Sequence, residues 1–376
     1  MELNGHTDER FANLRDLLSA NLESGEELGA AVAVDIGGEL VVDLWGGYRN
    51  AARTLPWEAN TLVNGWSSTK LPTALAAWRL VERGLLDLPA PVAKYWPEFA
   101  AAGKEGVEVR HVLAHTSGVS GWEPPFTATD MYDRETATAR LAGQAPWWDS
   151  RAKSGYHAQN WGHLVSELVL RVTGRTLREF VADDIAGPLE ADVQIGVGAV
   201  DDGRCAEIVP PPPFPLGEVA ADSVPAKTLA GLDAGLANTT AWRRAELGAL
   251  NGHMTARGLA RMMSVVSRGG AVGDVRLLSP ETIDLIFEEQ ANGVDLALGI
   301  PLRWGVGIGL PDPTTTPYLP AGERVGFWGG WGGSMTVMLP ERGMTICYLM
   351  NRMGPGVVGS ARSEAYIRAI LEGVAA

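Results

Sequence analysis

The sequence is poor in cysteine, in basic charge and in long apolar runs. Only two cysteines, Cys205 and Cys347, occur in 376 residues, 142 positions apart and without C-x-x-C spacing. This excludes a disulfide scaffold and a cysteine zinc site, and predicts two buried free thiols. Lysine and arginine number 31 against 45 aspartates and glutamates, a formal charge of −14. Nucleic acid is excluded as a partner, because phosphate binding needs a basic face. The most apolar early stretch, Leu28 to Val34, ends at Asp35, far short of the ~18 residues a membrane span needs. Met1-Glu2-Leu3-Asn4-Gly5-His6-Thr7-Asp8 holds neither a basic n-region nor an apolar h-region. A soluble cytoplasmic chain without a signal peptide or membrane partner is therefore expected. No H-E-x-x-H spacing, strand-borne G-x-G-x-x-G or phosphate loop is present, so neither metal nor cofactor is expected. The G-x-S-x-G elbow that would support a Ser-His-Asp mechanism is also missing around Ser67.

What is present is an ordinary globular balance, 46% apolar and 20% charged, in a length that fits one large domain or two intertwined ones. Phe11, Leu14, Leu17, Leu18 and Leu22 recur at helical spacing across residues 7–24. Two strand-like runs follow, Ala30 to Ile36 and Glu39 to Trp45, joined by Gly37-Gly38. A glycine pair between apolar runs predicts a hairpin, because two-residue turns need positive φ. From Ser67 the pattern turns helical over 67–83, 108–115, 134–142 and 161–173, with Gly84 and Gly174 as stops. Pro210 to Pro213 with Phe214-Pro215 reads as an extended surface connector. A helix is expected over 255–267, then strands over 303–310, 324–328, 334–339 and 344–351, and a closing helix over 359–372.

Strands at both ends and helices between them imply an α+β fold. An antiparallel sheet built from 1–65 and 270–376 would be flanked by the terminal helices. A mostly helical domain, 66–269, would be inserted, with the active site at the interface.

The sharpest chemical signal is Trp66-Ser67-Ser68-Thr69-Lys70, an S-x-x-K where an extended stretch enters a helix. At i and i+3 the Ser67 hydroxyl and Lys70 amine share a helix face. A lysine desolvated there becomes a base near neutral pH, and the helix start leaves backbone N–H groups free for developing negative charge. Gly155-Tyr156-His157-Ala158 precedes the helix from Trp161 and offers a loop tyrosine for proton exchange. Phe327-Trp328-Gly329-Gly330-Trp331-Gly332-Gly333-Ser334 is rich in glycine on a strand, a mark of backbone brought close to a ligand.

In this order the three motifs resemble the serine β-lactamase and penicillin-binding-protein superfamily. Within it the chain is most similar to family VIII carboxylesterases, relatives of class C β-lactamases. His111-Val112-Leu113-Ala114-His115-Thr116-Ser117-Gly118, Trp161-Gly162-His163-Leu164 and the ending from Met338 to Met353 extend the likeness over nearly the whole chain. The resemblance implies a β-lactamase/transpeptidase-like fold and a serine esterase working through an acyl-enzyme on a small-molecule ester. Ser67 is then the nucleophile, Lys70 its base partner and Tyr156 the proton shuttle. The backbone N–H groups of Ser67 and Trp331 become the oxyanion hole, and Trp328, Gly329, Gly330 and Trp331 bind substrate. β-Lactamase, D-alanyl peptidase and acyltransferase remain alternatives on the same scaffold.

Two departures matter. Ala158 stands where the superfamily's Y-x-N has asparagine, and Trp328 stands where β-lactamases carry the lysine of K-T-G. Loss of a cationic anchor and gain of aromatic surface favour uncharged, apolar acyl substrates. Trp122, Trp147 and Trp148 are further candidates for the pocket wall, and His157 for its edge. Tyr132 is the alternative proton-transfer tyrosine, and His115 reads as a hydrogen-bonded structural histidine. Asn251 and His253 are placed at a helix start or at the rim.

Overall fold

A computed structural model describes residues 3–149, 151, 153–212 and 220–375. Its main sheet has nine antiparallel strands contributed by both ends of the chain. In spatial order they are Leu3–Thr7, Glu39–Gly47, Gly29–Ile36, Met344–Met350, Met335–Leu339, Gly326–Gly329, Gly309–Leu310, Pro301–Trp304 and Ala291–Val294. The junction of N-terminal and C-terminal segments, Gly29–Ile36 on Met344–Met350, runs seven residue pairs from Met344↔Ile36 to Met350↔Ala30. The hairpin at Gly37-Gly38 forms as expected, with φ of 62° and 96°.

Period-two alternation sends the two faces of the central strands to different helices. Thr345 hydrogen-bonds Ser267 at 2.7 Å, which places one face against the helix Ala256–Ser267. Tyr348, on the other face, meets Tyr366 with ring centroids 5.0 Å apart. Tyr366 belongs to the terminal helix Ala361–Ala375, which packs beside the first helix, Ala12–Ser24. Both terminal helices therefore cover one side, as the sequence pattern implies. Helices Lys70–Glu82 and Trp161–Thr173 form the centre of the helical part.

The structure departs from the sequence reading in several places. The run 303–310 is two strands, because Gly305-Val306-Gly307-Ile308 leaves the sheet to meet helix Lys70–Glu82. Trp78 donates its indole N–H to the Val306 carbonyl at 2.8 Å, and Gly307 takes a φ of 79° against Ala74. The edge strand Leu3–Thr7, the helix Pro280–Ile286 and a three-stranded sheet of Val63–Asn64, Gly252–Met254 and Val193–Ile195 were not anticipated. Leu3–Thr7 lacks apolar alternation, and the others are too short for periodicity to register. Of the proline-rich stretch, residues 213–215 lie outside the described residues. Both cysteines are buried and free. Among the described residues no helix is long and apolar enough to cross a membrane.

A buried ionic knot ties the sheet to the terminal helix. The Glu27 carboxylate is wholly buried and pairs with Arg362 at 2.6 Å. It also accepts from the hydroxyls of Tyr348 and Tyr366. Burial pushes its pKa up to about 7, against the pull of Arg362 and the two tyrosines. Glu27→Leu would leave a guanidinium without its counter-charge and two hydroxyls without an acceptor. Loss of about 3–5 kcal/mol is expected, read as a lower midpoint of urea unfolding; an unmoved midpoint would show that the knot contributes nothing.

Candidate active site

Three segments converge where the helical part meets the sheet. The first is the turn from strand Val63–Asn64 through Gly65 and Trp66 into the 3-10 turn Trp66–Thr69 and helix Lys70–Glu82. Trp66 holds a left-handed φ of 48°, so the chain bends sharply just before Ser67. Helical spacing then carries the Lys70 amine to within 3.2 Å of the Ser67 hydroxyl oxygen. Lys70 is 2% exposed and, among the described residues, no carboxylate pairs with it. Burial drives its pKa well below the usual lysine range. Its Nζ donates to the carbonyls of Ala158 at 2.8 Å and Ala249 at 3.3 Å. A neutral amine has two N–H groups and one lone pair. Lys70 Nζ is also the donor to Ser67 Oγ in this arrangement; were the amine neutral with both N–H groups on the carbonyls, its lone pair would be left for the Ser67 proton. The Ala158 carbonyl thus supplies a contact to lysine even though its side chain has no amide.

The second segment is the loop ahead of helix Trp161–Thr173. Asp295 anchors it, accepting from the Tyr156 N–H and the Ser154 hydroxyl, each at 2.9 Å. Asp295 also caps the N–H groups of Ala297 and Leu298. His115 clamps the same loop from the other side: its carbonyl accepts from Gly155 N–H at 2.9 Å and its Nδ1 from His157 N–H at 3.1 Å. The His115 ring stands edge-on to Tyr156 at 5.0 Å. Burial holds His115 neutral, far below its ordinary pKa.

The third segment is strand Gly326–Gly329 and the turn after it. Trp328 donates its indole N–H to the Tyr156 hydroxyl at 3.1 Å. Because an indole nitrogen can only donate, the Tyr156 oxygen accepts there, and the same hydroxyl also interacts with Ser67. Burial lifts the Tyr156 pKa far above the tyrosine norm, so it stays protonated. The glycines permit close approach: a Cβ on Gly330 would sit 2.2 Å from the Gly65 carbonyl oxygen. Ser334 accepts from Gly330 N–H at 3.1 Å and bonds Ser68 at 3.2 Å, locking the turn to the Ser67 helix. The N–H groups of Ser67 and Trp331 donate to no acceptor among the described residues. They remain available for a ligand oxygen.

A cavity of about 120 Å³ opens on these groups, lined by Trp66, Ser67, Tyr156, Ala158, Leu229, Leu232, Leu250, Trp331 and Val357. Among the described residues no charged side chain lines it. Ser67, Lys70, Tyr156 and the Gly329–Trp331 backbone are thus brought together, as the sequence motifs anticipate.

Several other candidates are placed elsewhere. Trp122 stacks on Phe126 at 4.2 Å and donates to the Ala137 carbonyl, and Trp147 bonds Glu123 under the Lys227 amine. Trp148 donates to the Lys153 carbonyl and packs on Gly155. None of the three is a cavity wall, because each spends its ring on holding a neighbouring loop. Trp328 is likewise buried behind Tyr156 rather than on the wall. His157 is fully buried between Ser117 and the Gly155 carbonyl, each 2.6 Å away, so it does not face the cavity. Tyr132 is outside the lining and packs toward Trp242. Asn251 starts no helix: it straps the 242–247 turn through the Trp242 and Ala245 carbonyls. His253 lies in strand Gly252–Met254 and bonds the Asn251 carbonyl. Motif reading missed Asp295, the Ala249 carbonyl, Trp66 and the aliphatic wall. Only Trp66 had a signal, its position beside the serine.

A model of the Beta-lactamase family matches residues 14–369. The esterase/β-lactamase LipL of Mycobacterium tuberculosis is 33% identical over 367 residues, covering 93% of this chain and 83% of that protein. The crystal structure of a family VIII carboxylesterase superposes with a TM-score of 0.93 at 34% identity, covering 99% of this chain and 100% of the other. A penicillin-binding-protein homologue from Caulobacter crescentus superposes with a TM-score of 0.91 at 35% identity, with the same coverage.

Proposed function

The chain belongs to the Beta-lactamase family and is a serine hydrolase of that fold, and from this we propose that it cleaves carboxylic esters of short to medium acyl chains through an acyl-enzyme on Ser67. The observation that carries the reading is a buried lysine amine, 3.2 Å from a serine hydroxyl, beside a cavity that no charged side chain lines among the described residues. Ser67 Oγ attacks the ester carbonyl while its proton passes to the Lys70 lone pair. The oxyanion rests on the N–H groups of Ser67 and Trp331, each such donor being worth about 3 kcal/mol in the transition state. As the carbon–oxygen bond breaks, the Tyr156 hydroxyl protonates the departing alcohol and is reprotonated from Lys70. Water then enters, loses its proton along the same chain and releases the acid from Ser67.

Trp328 bears on substrate choice. An indole N–H orients Tyr156 without bringing positive charge, so nothing at this position would attract the carboxylate of a β-lactam or a peptide. The test compares kcat/KM for p-nitrophenyl butyrate with that for a chromogenic cephalosporin. The ester is expected to be preferred by a factor of about 10² or more, the scale on which an unpaired charge is rejected. Preference for the cephalosporin would move the assignment to β-lactamase or peptidase chemistry.

A further inference from the structure

Trp66 occupies a backbone conformation, φ 48°, that glycine adopts freely and a bulky side chain resists. The turn that presents the Ser67 N–H thus calls for the smallest residue and carries the largest. Hydrogen bonding does not account for it, since the buried Trp66 indole nitrogen has no partner among the described residues. The ring is 1% exposed, edge-on to Trp331 at 5.2 Å and tilted on Trp242 at 5.3 Å. Trp66 and Trp331 line the cavity, whereas Trp242 lies fully buried behind them, its indole N–H on Asn64 at 3.0 Å. Tyr156, from which the alcohol departs in the mechanism above, packs instead against His115, Trp304 and Trp328. The two aromatic groups share no ring contact, although Trp66 and Tyr156 both line the one cavity beside Ser67.

We infer that Trp66 is a specificity-determining residue whose ring forms the end wall of the acyl arm and limits the acyl chain to a few carbons. The inference rests on the esterase reading and adds to it the residue that sets chain length. Trp66→Gly removes the wall at a position where glycine is the conformationally favoured residue, so the Ser67 backbone need not move.

The experiment measures kcat/KM for p-nitrophenyl acetate, butyrate, hexanoate and octanoate with the wild type, Trp66→Gly and Trp66→Leu. The octanoate-to-butyrate ratio is expected to rise by roughly tenfold or more in Trp66→Gly and by less in Trp66→Leu, on the scale of one to two methylenes accommodated. An unchanged ratio in folded variants, or an equal loss at every length, would overturn the inference, as would a shift only in a matched series of butyrate esters with longer alcohols. Should Trp66→Gly fail to fold by circular dichroism, Trp66→Leu decides. If the wild type cleaved no ester, the esterase reading would fall on its own. The length dependence of Ser67 modification by alkyl fluorophosphonates, read by intact mass, would still decide the wall. No Ser67 adduct at any length would overturn both.

Discussion

Ser67→Ala is expected to lower kcat on p-nitrophenyl butyrate by about 10⁴-fold or more, the scale seen when a nucleophile is removed from a preorganised acyl-transfer site. The change deletes one oxygen at the first turn of a helix, a place where alanine fits, so the thermal midpoint should barely move. What the proposed mechanism would lose is the covalent route; the N–H groups of Ser67 and Trp331, without an acceptor among the described residues, would still be open to a carbonyl oxygen. Two neighbouring serines serve as controls. Ser68 is fully buried and bonded to Ser334. Ser117 lies 2.6 Å from His157 Nε2 but is fully buried as well. The Gly155 carbonyl, 2.6 Å from the other ring nitrogen, fixes the proton there and leaves Nε2 as an acceptor. That pair looks like a nucleophile and its base, yet no substrate reaches it. Ser117→Ala should therefore keep most of the ester turnover. Turnover that survived Ser67→Ala but fell in Ser117→Ala would relocate the nucleophile.

Lys70→Ala should cost about 10²–10⁴-fold in kcat/KM, the usual worth of a positioned general base, and should also reshape the pH profile. The sign follows from burial. In the proposed mechanism Lys70 acts only when neutral, and desolvation lowers its pKa, so activity should be full above that lowered value and fall as pH drops through it. The buried histidines do not produce this limb: His157 is held down at about 3, and His163 and His253 at about 4. His115 is depressed well below its ordinary value. Tyr156 is raised, so no alkaline loss is expected from it in the ordinary working range. Wild-type kcat/KM against pH should show one acid limb and a plateau, and the residual activity of Lys70→Ala should lack that limb. An acid limb that persisted unchanged in Lys70→Ala would assign it to another group.

The placement of the candidate site residues was legible in sequence because it rests on local spacing. Ser67 and Lys70 are three residues apart on one helix, and the glycines of Gly329-Gly330 announce a close backbone approach before any coordinates exist. The hairpin at Gly37-Gly38, the helix stops at Gly84 and Gly174 and the placing of strands at both termini follow from φ preference and periodicity alone. Tryptophans were less legible. Composition singles out Trp122, Trp147 and Trp148 as readily as Trp66, yet only Trp66 lines the cavity, and the other three hold loops. An indole serves equally as wall, core filler or hydrogen-bond donor, and only its neighbours in space select among these.

Sequence by itself determined that Ser67 and Lys70 share one helix face, the antiparallel sheet shared by the two chain ends, and the absence of a cationic side chain at position 328. Tertiary structure decided the rest: the Ala158 and Ala249 carbonyls that hold the Lys70 amine, the Asp295 and His115 clamps that hold the Tyr156 loop, and the aliphatic wall of Leu229, Leu232, Leu250 and Val357. The physical reason is separation along the chain. Ala249 lies 179 residues from Lys70, and Asp295 lies 139 from Tyr156. Backbone carbonyls and aliphatic side chains carry no motif, so their roles exist only once packing has brought them together.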